Sequence, residues 1–151
     1  MKTCTIPSTF GDLILVEEDS YITALRWGRN ADNDMTDLLE EGRRQLLAYA
    51  AGALQKFDLP LRIAGTDFQR AVCAAMSEIP FGETCTYGDI GKRLGVPAQA
   101  VGQACGGNPV PIIIPCHRVM GAKGLTGFSG AGGVETKVAL LRHEGAGGFL
   151  I

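Results

Sequence analysis

The sequence offers little material for a metal site. Its 151 residues include five cysteines and only two histidines, and no Cys-x-x-Cys pair occurs. An odd number of cysteines without paired spacing argues against a zinc site and against a disulfide framework. We therefore predict no bound metal and at least one free thiol. Because free thiols persist in reducing compartments, the expected location is the cytoplasm.

Long apolar runs are also absent. No stretch approaches the roughly 18 residues of a membrane span, and the N-terminus has one lysine but no apolar core of a secretion signal. Hydrophobic residues nevertheless make up 46% of the chain and charged residues 20%, which is enough for a folded core. We expect a globular monomer that has no membrane contact and needs no obligate protein partner.

A strong excess of positive charge is missing as well. The net charge of −2 argues against tight binding to nucleic acid. Residues 1–62 contain seven basic and ten acidic side chains, whereas residues 63–151 contain seven basic and six acidic ones. Only the second half has a small excess of positive charge, so only this half is suited to contact the phosphates of DNA. It would neutralise few phosphates, so its affinity for DNA should be modest and weakly dependent on salt.

Fingerprints of nucleotide cofactors are missing too. Residues 127–133 are rich in glycine, but they contain no Gly-Lys-Ser/Thr sequence and follow no clear parallel strand. A phosphate-binding loop is therefore not predicted there, and a flexible substrate loop is the better interpretation. The chain also has no dinucleotide or adenosylmethionine fingerprint, so we predict that it uses no cofactor.

The pattern of apolar and turn residues predicts an α+β fold in two domains, 1–62 and 63–151. Three short strands, over 3–7, 12–17 and 21–27, should form an antiparallel meander. Helical spacing of apolar residues over 34–57 predicts one helix that covers this sheet. Residues 58–65 then read as a linker.

The second domain should be mostly helical. Thr66 followed by Gln69 has the form of a capping box at a helix start. Thr86 and Asp89 cap the next helix, Gly95 interrupts it, and a further helix covers 97–105. This pair has the form of a helix-turn-helix, although a plain helical hairpin fits the spacing slightly better. A last helix is predicted over 134–143.

The most informative stretch is Asn-Pro-Val-Pro-Ile-Ile-Ile-Pro-Cys-His-Arg-Val, residues 108–119. We interpret its apolar part as a buried extended segment that places the thiol of Cys116 beside a possible base, His117. A thiolate is the nucleophilic form of cysteine, and a neighbouring imidazole helps to generate it. Cys4 and Cys73, by contrast, are expected to be ordinary core residues.

Residues 108–119 resemble the signature of the O6-alkylguanine-DNA alkyltransferases, a family of DNA-repair proteins. Phe-Gly-Glu-Thr-Cys-Thr-Tyr at 81–87, Gly-Phe-Ser-Gly at 127–130 and His-Glu-Gly at 143–145 resemble further motifs of this family in the same order. The resemblance covers 68–145 well and 1–62 loosely. It implies a helix-turn-helix in the minor groove of DNA, at the nucleoid in a bacterium. It also implies transfer of an alkyl group from O6-alkylguanine to Cys116, once per molecule.

The resemblance also implies roles for the remaining catalytic residues. His117 would act as a base toward Cys116 through a water molecule, and Glu144 would orient His117. Tyr87 would hydrogen-bond nitrogen 3 of guanine and help the leaving group to accept charge. Asn108 would link the recognition helix, 97–105, to the active-site segment that carries Cys116, although a simple helix-stop role also fits it.

Other residues would contact DNA or the extruded base. The resemblance assigns base contacts to the main chains of Val119 and Ser129 and places Phe128 where a tyrosine is common. The recognition helix has small side chains suited to close approach to the minor groove. Family members usually carry an arginine at its Gln99 position, so repair of duplex DNA is expected to be slow. The predicted DNA-contacting residues of this helix are Ala98, Gln99 and Ala100.

Two other functions remain open on the sequence alone. A lesion-binding module would recognise the damaged base without transferring its alkyl group. A Cys-His-Glu hydrolase would use the same side chains but turn over many times. Intact Cys116 favours transfer over binding alone, because related binders replace that cysteine.

Overall fold

The computed structural model describes residues 1–30, 32–121 and 133–146. The chain separates into two compact units, Met1–Ala64 and Gly65–Ile151. Within the described parts of the chain, no helix is both long and apolar enough to span a bilayer.

The first unit is built on a three-stranded sheet. Strands β1 (Lys2–Ile6), β2 (Leu13–Glu18) and β3 (Tyr21–Trp27) pair antiparallel in the order β1-β2-β3. The antiparallel meander predicted from the sequence is therefore confirmed, and so is the α+β class. Helix α1 (Asp37–Ala50) packs against β1 and β2. The buried side chains of this unit include Ile6, Leu13, Leu15, Ile22, Leu25, Leu39, Leu46 and Tyr49.

Helix α1 is shorter than the sequence pattern predicts, because local signals at both ends override the apolar spacing. Thr36 caps its start, where the hydroxyl oxygen accepts a hydrogen bond from the Leu39 amide at 3.1 Å. At the other end, Gly52 adopts a φ of 81°, which a helix cannot continue through. The prediction of one helix over 34–57 is thus wrong in both of its bounds.

Segments outside the strands cover both edges of this sheet. At the β1 edge, the Thr3 amide donates to the Asp34 carboxylate at 2.9 Å, and the Asp34 amide donates to the Thr3 carbonyl at 2.8 Å. At the β3 edge, the Ile22 amide donates to the carbonyl of Pro60 at 2.8 Å, and the Arg62 amide donates to the Ile22 carbonyl at 3.0 Å. Part of the predicted linker, 58–65, is therefore bonded to the sheet.

The second unit is mostly helical among its described residues. Helices α3 (Tyr87–Leu94) and α4 (Ala98–Gly106) follow one another closely. A two-stranded parallel pair, β4 (Cys85–Thr86) with β5 (Val119–Met120), joins the start of α3 to the residues that follow position 118. The elements in chain order are α2 (Asp67–Ser77), β4 (Cys85–Thr86), α3 (Tyr87–Leu94), α4 (Ala98–Gly106), a 3-10 turn (Cys116–Arg118), β5 (Val119–Met120) and α5 (Val134–His143).

The two predicted helix caps differ in how completely they form. Thr86 and Asp89 make a full capping box at the start of α3, with each side chain bonded to the other's backbone amide. Thr66 accepts a bond from the Gln69 amide at 3.0 Å, but the Gln69 side chain donates to the Ala104 carbonyl at 2.8 Å instead of completing the box. Gln69 thereby ties α2 to α4.

The turn between α3 and α4 rests on Gly91. The amide of Val96 donates to the Gly91 carbonyl at 2.9 Å, and Gly95 ends α3 with a φ of 72°. A Cβ atom on Gly91 would lie 2.6 Å from the Val96 carbonyl oxygen, which is backbone and cannot move aside cheaply. The close approach of the two helices therefore requires glycine at this position.

We expect Gly91→Ala to lower the free energy of unfolding by about 1–3 kcal/mol, despite the better helix propensity of alanine. Urea denaturation followed by far-ultraviolet circular dichroism measures it. Gly102→Ala is the matched control, because a Cβ there meets nothing within 4 Å. That variant should be up to about 1 kcal/mol more stable. Equal effects of the two substitutions would contradict the packing argument.

Candidate active site

The apolar segment before Cys116 is bent by two tight turns. The Ile113 amide donates to the Pro111 carbonyl at 2.9 Å, and the residue between them, Ile112, has a φ of 72°. The Cys116 amide donates to the Ile114 carbonyl at 2.8 Å in the same three-residue pattern. These are a γ-turn and an inverse γ-turn, of which the first is rare and strained for a β-branched residue. The prediction that this segment is extended is therefore wrong.

Asn108 holds the ends of this bent segment together. Its side-chain amide donates to the Ile114 carbonyl at 2.9 Å, and its side-chain oxygen accepts from the Val110 amide at 3.0 Å. Asn108 is buried, so neither backbone group has to rely on water. The side chain therefore fixes the strained turn and, through it, the position of the Cys116 backbone.

Cys116 opens the 3-10 turn and is 5% exposed. Burial raises the pKa of its thiol above the ordinary value, while a hydrogen bond from Asn108 and the charge of Lys137 act in the opposite direction. Burial also raises the pKa of the neighbouring Cys105, to about 12. At neutral pH both groups are thiols, and a base is needed to turn Cys116 into a nucleophile.

His117 and Glu144 are brought together in the interior of the second unit. The His117 Nε2 and Glu144 Oε2 atoms are 2.7 Å apart, and both side chains are fully buried. Among the described residues, the other ring nitrogen, Nδ1, has no hydrogen-bond partner. Burial lowers the pKa of His117, although Glu144 acts to raise it. The imidazole is therefore neutral at rest.

Arg118 belongs to the same buried group, which the sequence analysis missed. Its Nε and Nη2 atoms donate to the two oxygens of Glu144, each at 2.8 Å, and Nη1 donates to the Ile79 carbonyl at 2.7 Å. The guanidinium carbon also lies 5.9 Å from the centre of the Phe81 ring. The sequence around an arginine that follows Cys-His does not reveal whether its guanidinium is buried and paired or exposed to solvent.

Lys137 is a second charged residue that the sequence analysis missed. It is 1% exposed, and its Nζ atom donates to the Val119 carbonyl at 2.6 Å. The same atom lies 5.9 Å from the centre of the Tyr87 ring. A signal was present in the sequence: Lys137 lies three and four residues before Leu140 and Leu141, so it shares the buried face of α5.

A cleft of about 530 Å³ opens beside helices α3 and α4. Tyr87, Ala98, Gln99 and Gln103 are among its lining residues, so the structure brings two predicted DNA-contacting residues together with the predicted tyrosine. Cys116 is not among the lining residues. Ala100 is half-buried on the same helix, away from this lining.

Two predicted contact residues, Phe128 and Ser129, lie outside the described residues, as does most of the glycine-rich stretch 127–133. Among the described residues, no three histidine, cysteine or acidic side chains form a group that could hold a metal ion. All five cysteines are free thiols.

Comparison with known proteins identifies the family. Residues 67–146 match the family model of the 6-O-methylguanine DNA methyltransferase DNA-binding domain, and residues 1–63 match that of the 6-O-methylguanine DNA methyltransferase ribonuclease-like domain. The chain belongs to the 6-O-methylguanine DNA methyltransferase family. The resemblance inferred from the sequence motifs is therefore confirmed.

Individual relatives of this methyltransferase family support the assignment over most of the chain. Methylated-DNA–protein-cysteine methyltransferase of Mycolicibacterium paratuberculosis is 43% identical over 150 residues, covering 93% of this chain and 90% of the relative. The enzyme of that name from Methanosarcina acetivorans is 50% identical over 113 residues, covering 73% and 71%. The crystal structure of Mycobacterium tuberculosis OGT in complex with DNA superimposes with a TM-score of 0.86 at 42% identity, covering 99% of this chain and 97% of the other.

Removal of the Asn108 side chain should loosen the bent segment. We expect Asn108→Ala to lower the free energy of unfolding by about 2 kcal/mol or more, because the Val110 amide and the Ile114 carbonyl lose their buried partner. Chemical denaturation gives this value. Asn33→Ala serves as control, since Asn33 makes a long, exposed bond of 3.4 Å to the Thr5 amide. Asn33→Ala should lower the free energy of unfolding by less than about 0.5 kcal/mol. A loss there as large as that of Asn108→Ala would contradict the role assigned to Asn108.

Proposed function

We propose that this protein repairs O6-alkylguanine in DNA by moving the alkyl group to Cys116 once per molecule. The sulfur forms a bond to the alkyl carbon while the bond from that carbon to oxygen 6 breaks, and its electrons stay with guanine. The thiol proton passes to His117, and guanine takes up a proton in turn. The product is a thioether, which has no easy leaving group, so the protein is not regenerated.

The observation that carries this proposal is the arrangement of His117 against Glu144. An ionised carboxylate only accepts hydrogen bonds, so the 2.7 Å contact requires the proton of a neutral imidazole to sit on Nε2. The lone pair is then on Nδ1, the nitrogen with no partner among the described residues. His117 is therefore held in the tautomer that can take a proton, which in other members of the family passes through a water molecule.

The environment of Cys116 suits a reaction that happens once. Because burial raises the pKa of the thiol, the free protein keeps it protonated and protected from other electrophiles. The Lys137 charge favours the thiolate when it forms. Deprotonation then coincides with attack, and His117 supplies the base at that moment.

Tyr87 is the proposed donor to the leaving group. It starts helix α3, lines the cleft beside α4, and has the Lys137 ammonium near its ring. In other members of the family the tyrosine at this position hydrogen-bonds nitrogen 3 of guanine. Such a bond stabilises the charge that develops on the base as the carbon–oxygen bond breaks.

Helix α4 is the proposed recognition helix. Ala98 and Gln99 are exposed and line the cleft, whereas Val101 and Cys105 are buried on the opposite side. The small side chains give no long donors for reading base edges, which favours close contact with the minor groove instead. The target base must leave the stack to reach Cys116, and this extrusion costs a few kcal/mol.

The proposed transfer is tested by intact mass after incubation with an oligonucleotide that contains O6-methylguanine. The protein should gain one methyl group, and peptide mapping should place it on Cys116. Cys116→Ser should gain none, since the hydroxyl is a far weaker nucleophile. Product should stop rising at one equivalent per protein.

Three outcomes would contradict this proposal. Binding of the lesion without any mass gain would indicate a recognition module, and product in excess of protein would indicate a hydrolase. A methyl group found on one of the other four cysteines would also contradict the role of Cys116.

We infer that Gln99 slows repair of duplex DNA, because the arginine usual at this position fills the gap left by the extruded base. Gln99→Arg should raise the rate on a duplex on the order of tenfold, equivalent to about 1.4 kcal/mol in the barrier. Its rate with the free modified base should change by less than about twofold. Single-turnover assays on both substrates measure the ratio.

Gln103→Arg is the matched control, because Gln103 lies one turn further along α4 and lines the same cleft. It adds the same charge near the phosphates, so it measures how much any added positive charge on this face accelerates duplex repair. If both variants accelerate duplex repair equally, the gap-filling role of position 99 is wrong.

A further inference from the structure

One buried carboxylate serves two partners of different kinds. The Oε2 atom of Glu144 lies 2.7 Å from His117 Nε2 and 2.8 Å from Arg118 Nη2, and Oε1 lies 2.8 Å from Arg118 Nε. The side chains of Glu144 and His117 are fully buried, and that of Arg118 is 7% exposed. The carboxylate thus has a permanent cation on one side and a titratable ring on the other.

Without the arginine, this geometry would favour a protonated histidine. A buried carboxylate is costly unless a positive charge neutralises it, and a proton on the adjacent imidazole is the nearest source of that charge. An imidazolium has no lone pair, so it cannot accept the thiol proton. A His-Glu pair alone would therefore leave less of the neutral imidazole that the proposed reaction needs.

We propose that Arg118 is a positioning residue that keeps His117 neutral by supplying the counter-charge of Glu144. Two parallel hydrogen bonds fix the plane of the carboxylate, so Glu144 still accepts the hydrogen bond from Nε2–H and sets the tautomer of His117. Contacts with the Ile79 carbonyl and the Phe81 ring hold the guanidinium in place. This inference rests on the proposed function, in which His117 is the base.

Apart from Glu144, the charges that act on His117 lower its pKa. Burial lowers the pKa of His117 most, Glu144 raises it, and Arg118 and then Lys137 lower it. Lys137 belongs to α5 and Glu144 follows its last residue, whereas Cys116 and Arg118 flank His117 in the 3-10 turn. A histidine whose pKa is lowered on folding stays neutral as the pH falls through its ordinary value near 6.5.

The test follows the protonation of His117 directly, by nitrogen NMR of protein labelled at its two histidines, without substrate. His143→Gln assigns the two signals. In the unaltered protein, His117 should keep the neutral pattern with the proton on Nε2 below pH 6.5. In Arg118→Met, its titration midpoint should rise by about one pH unit or more. The acid limit of single-turnover transfer should move upward by the same interval.

Arg118→Lys separates charge from geometry. It retains the counter-charge but cannot bond both carboxylate oxygens, so His117 should stay neutral while transfer slows. Equal upward shifts in Arg118→Lys and Arg118→Met would overturn the proposal, as would an unchanged midpoint in Arg118→Met. Arg70→Met is the control, because Arg70 forms an exposed ion pair with Asp67 and should leave the His117 signal unmoved.

A second variant covers the case in which Arg118→Met does not fold. Adding Glu144→Gln removes the uncompensated carboxylate, so the double variant should fold and show a neutral His117. A double variant that also fails to fold would show that the packing of Arg118 matters rather than its charge, and would overturn the proposal. Because the NMR measurement involves no DNA, it remains informative even if the mass experiment finds no transfer to Cys116.

Discussion

The carboxylate of Glu144 is the point at which helix α5 and the 3-10 turn are joined. Glu144 is the C-cap residue of α5, where its backbone amide bonds the last carbonyls of the helix. Its carboxylate bonds both His117 and Arg118, which are consecutive residues of the turn. A carboxylate at the C-terminal end of a helix is unfavourable in itself, because the helix dipole is negative there. The two donors from the turn offset this cost, and so the chemistry of the site and the packing of α5 depend on the same contacts.

The sequence predicted the elements with strong local signals. Helix α5 and the capping box of Thr86 and Asp89 follow the prediction, because short-range hydrogen bonds and apolar spacing decide them. Helix α1 was predicted too long, since apolar spacing does not show where Gly52 turns the backbone. The bend at Ile112 was missed because a positive φ at isoleucine depends on the surrounding fold, not on its own preference.

The candidate site was predictable only in part. The motif around Cys116 indicated the proposed nucleophile and base, but the spacing of 27 residues between His117 and Glu144 carries no information about contact. Lys137 and Arg118 were missed because most charged side chains are exposed, and their burial follows only from tertiary packing. Buried charges of this kind need partners, and here both donate to groups of the active-site segment or of Glu144.

The covered margins of the N-terminal sheet limit how this protein can associate. An open strand margin offers a row of free amides and carbonyls to which another chain can add. Here the Asp34 backbone and side chain occupy the outer groups of Thr3, while Pro60 and Arg62 occupy those of Ile22. At these two positions the protein is thereby protected from polymerising by strand addition.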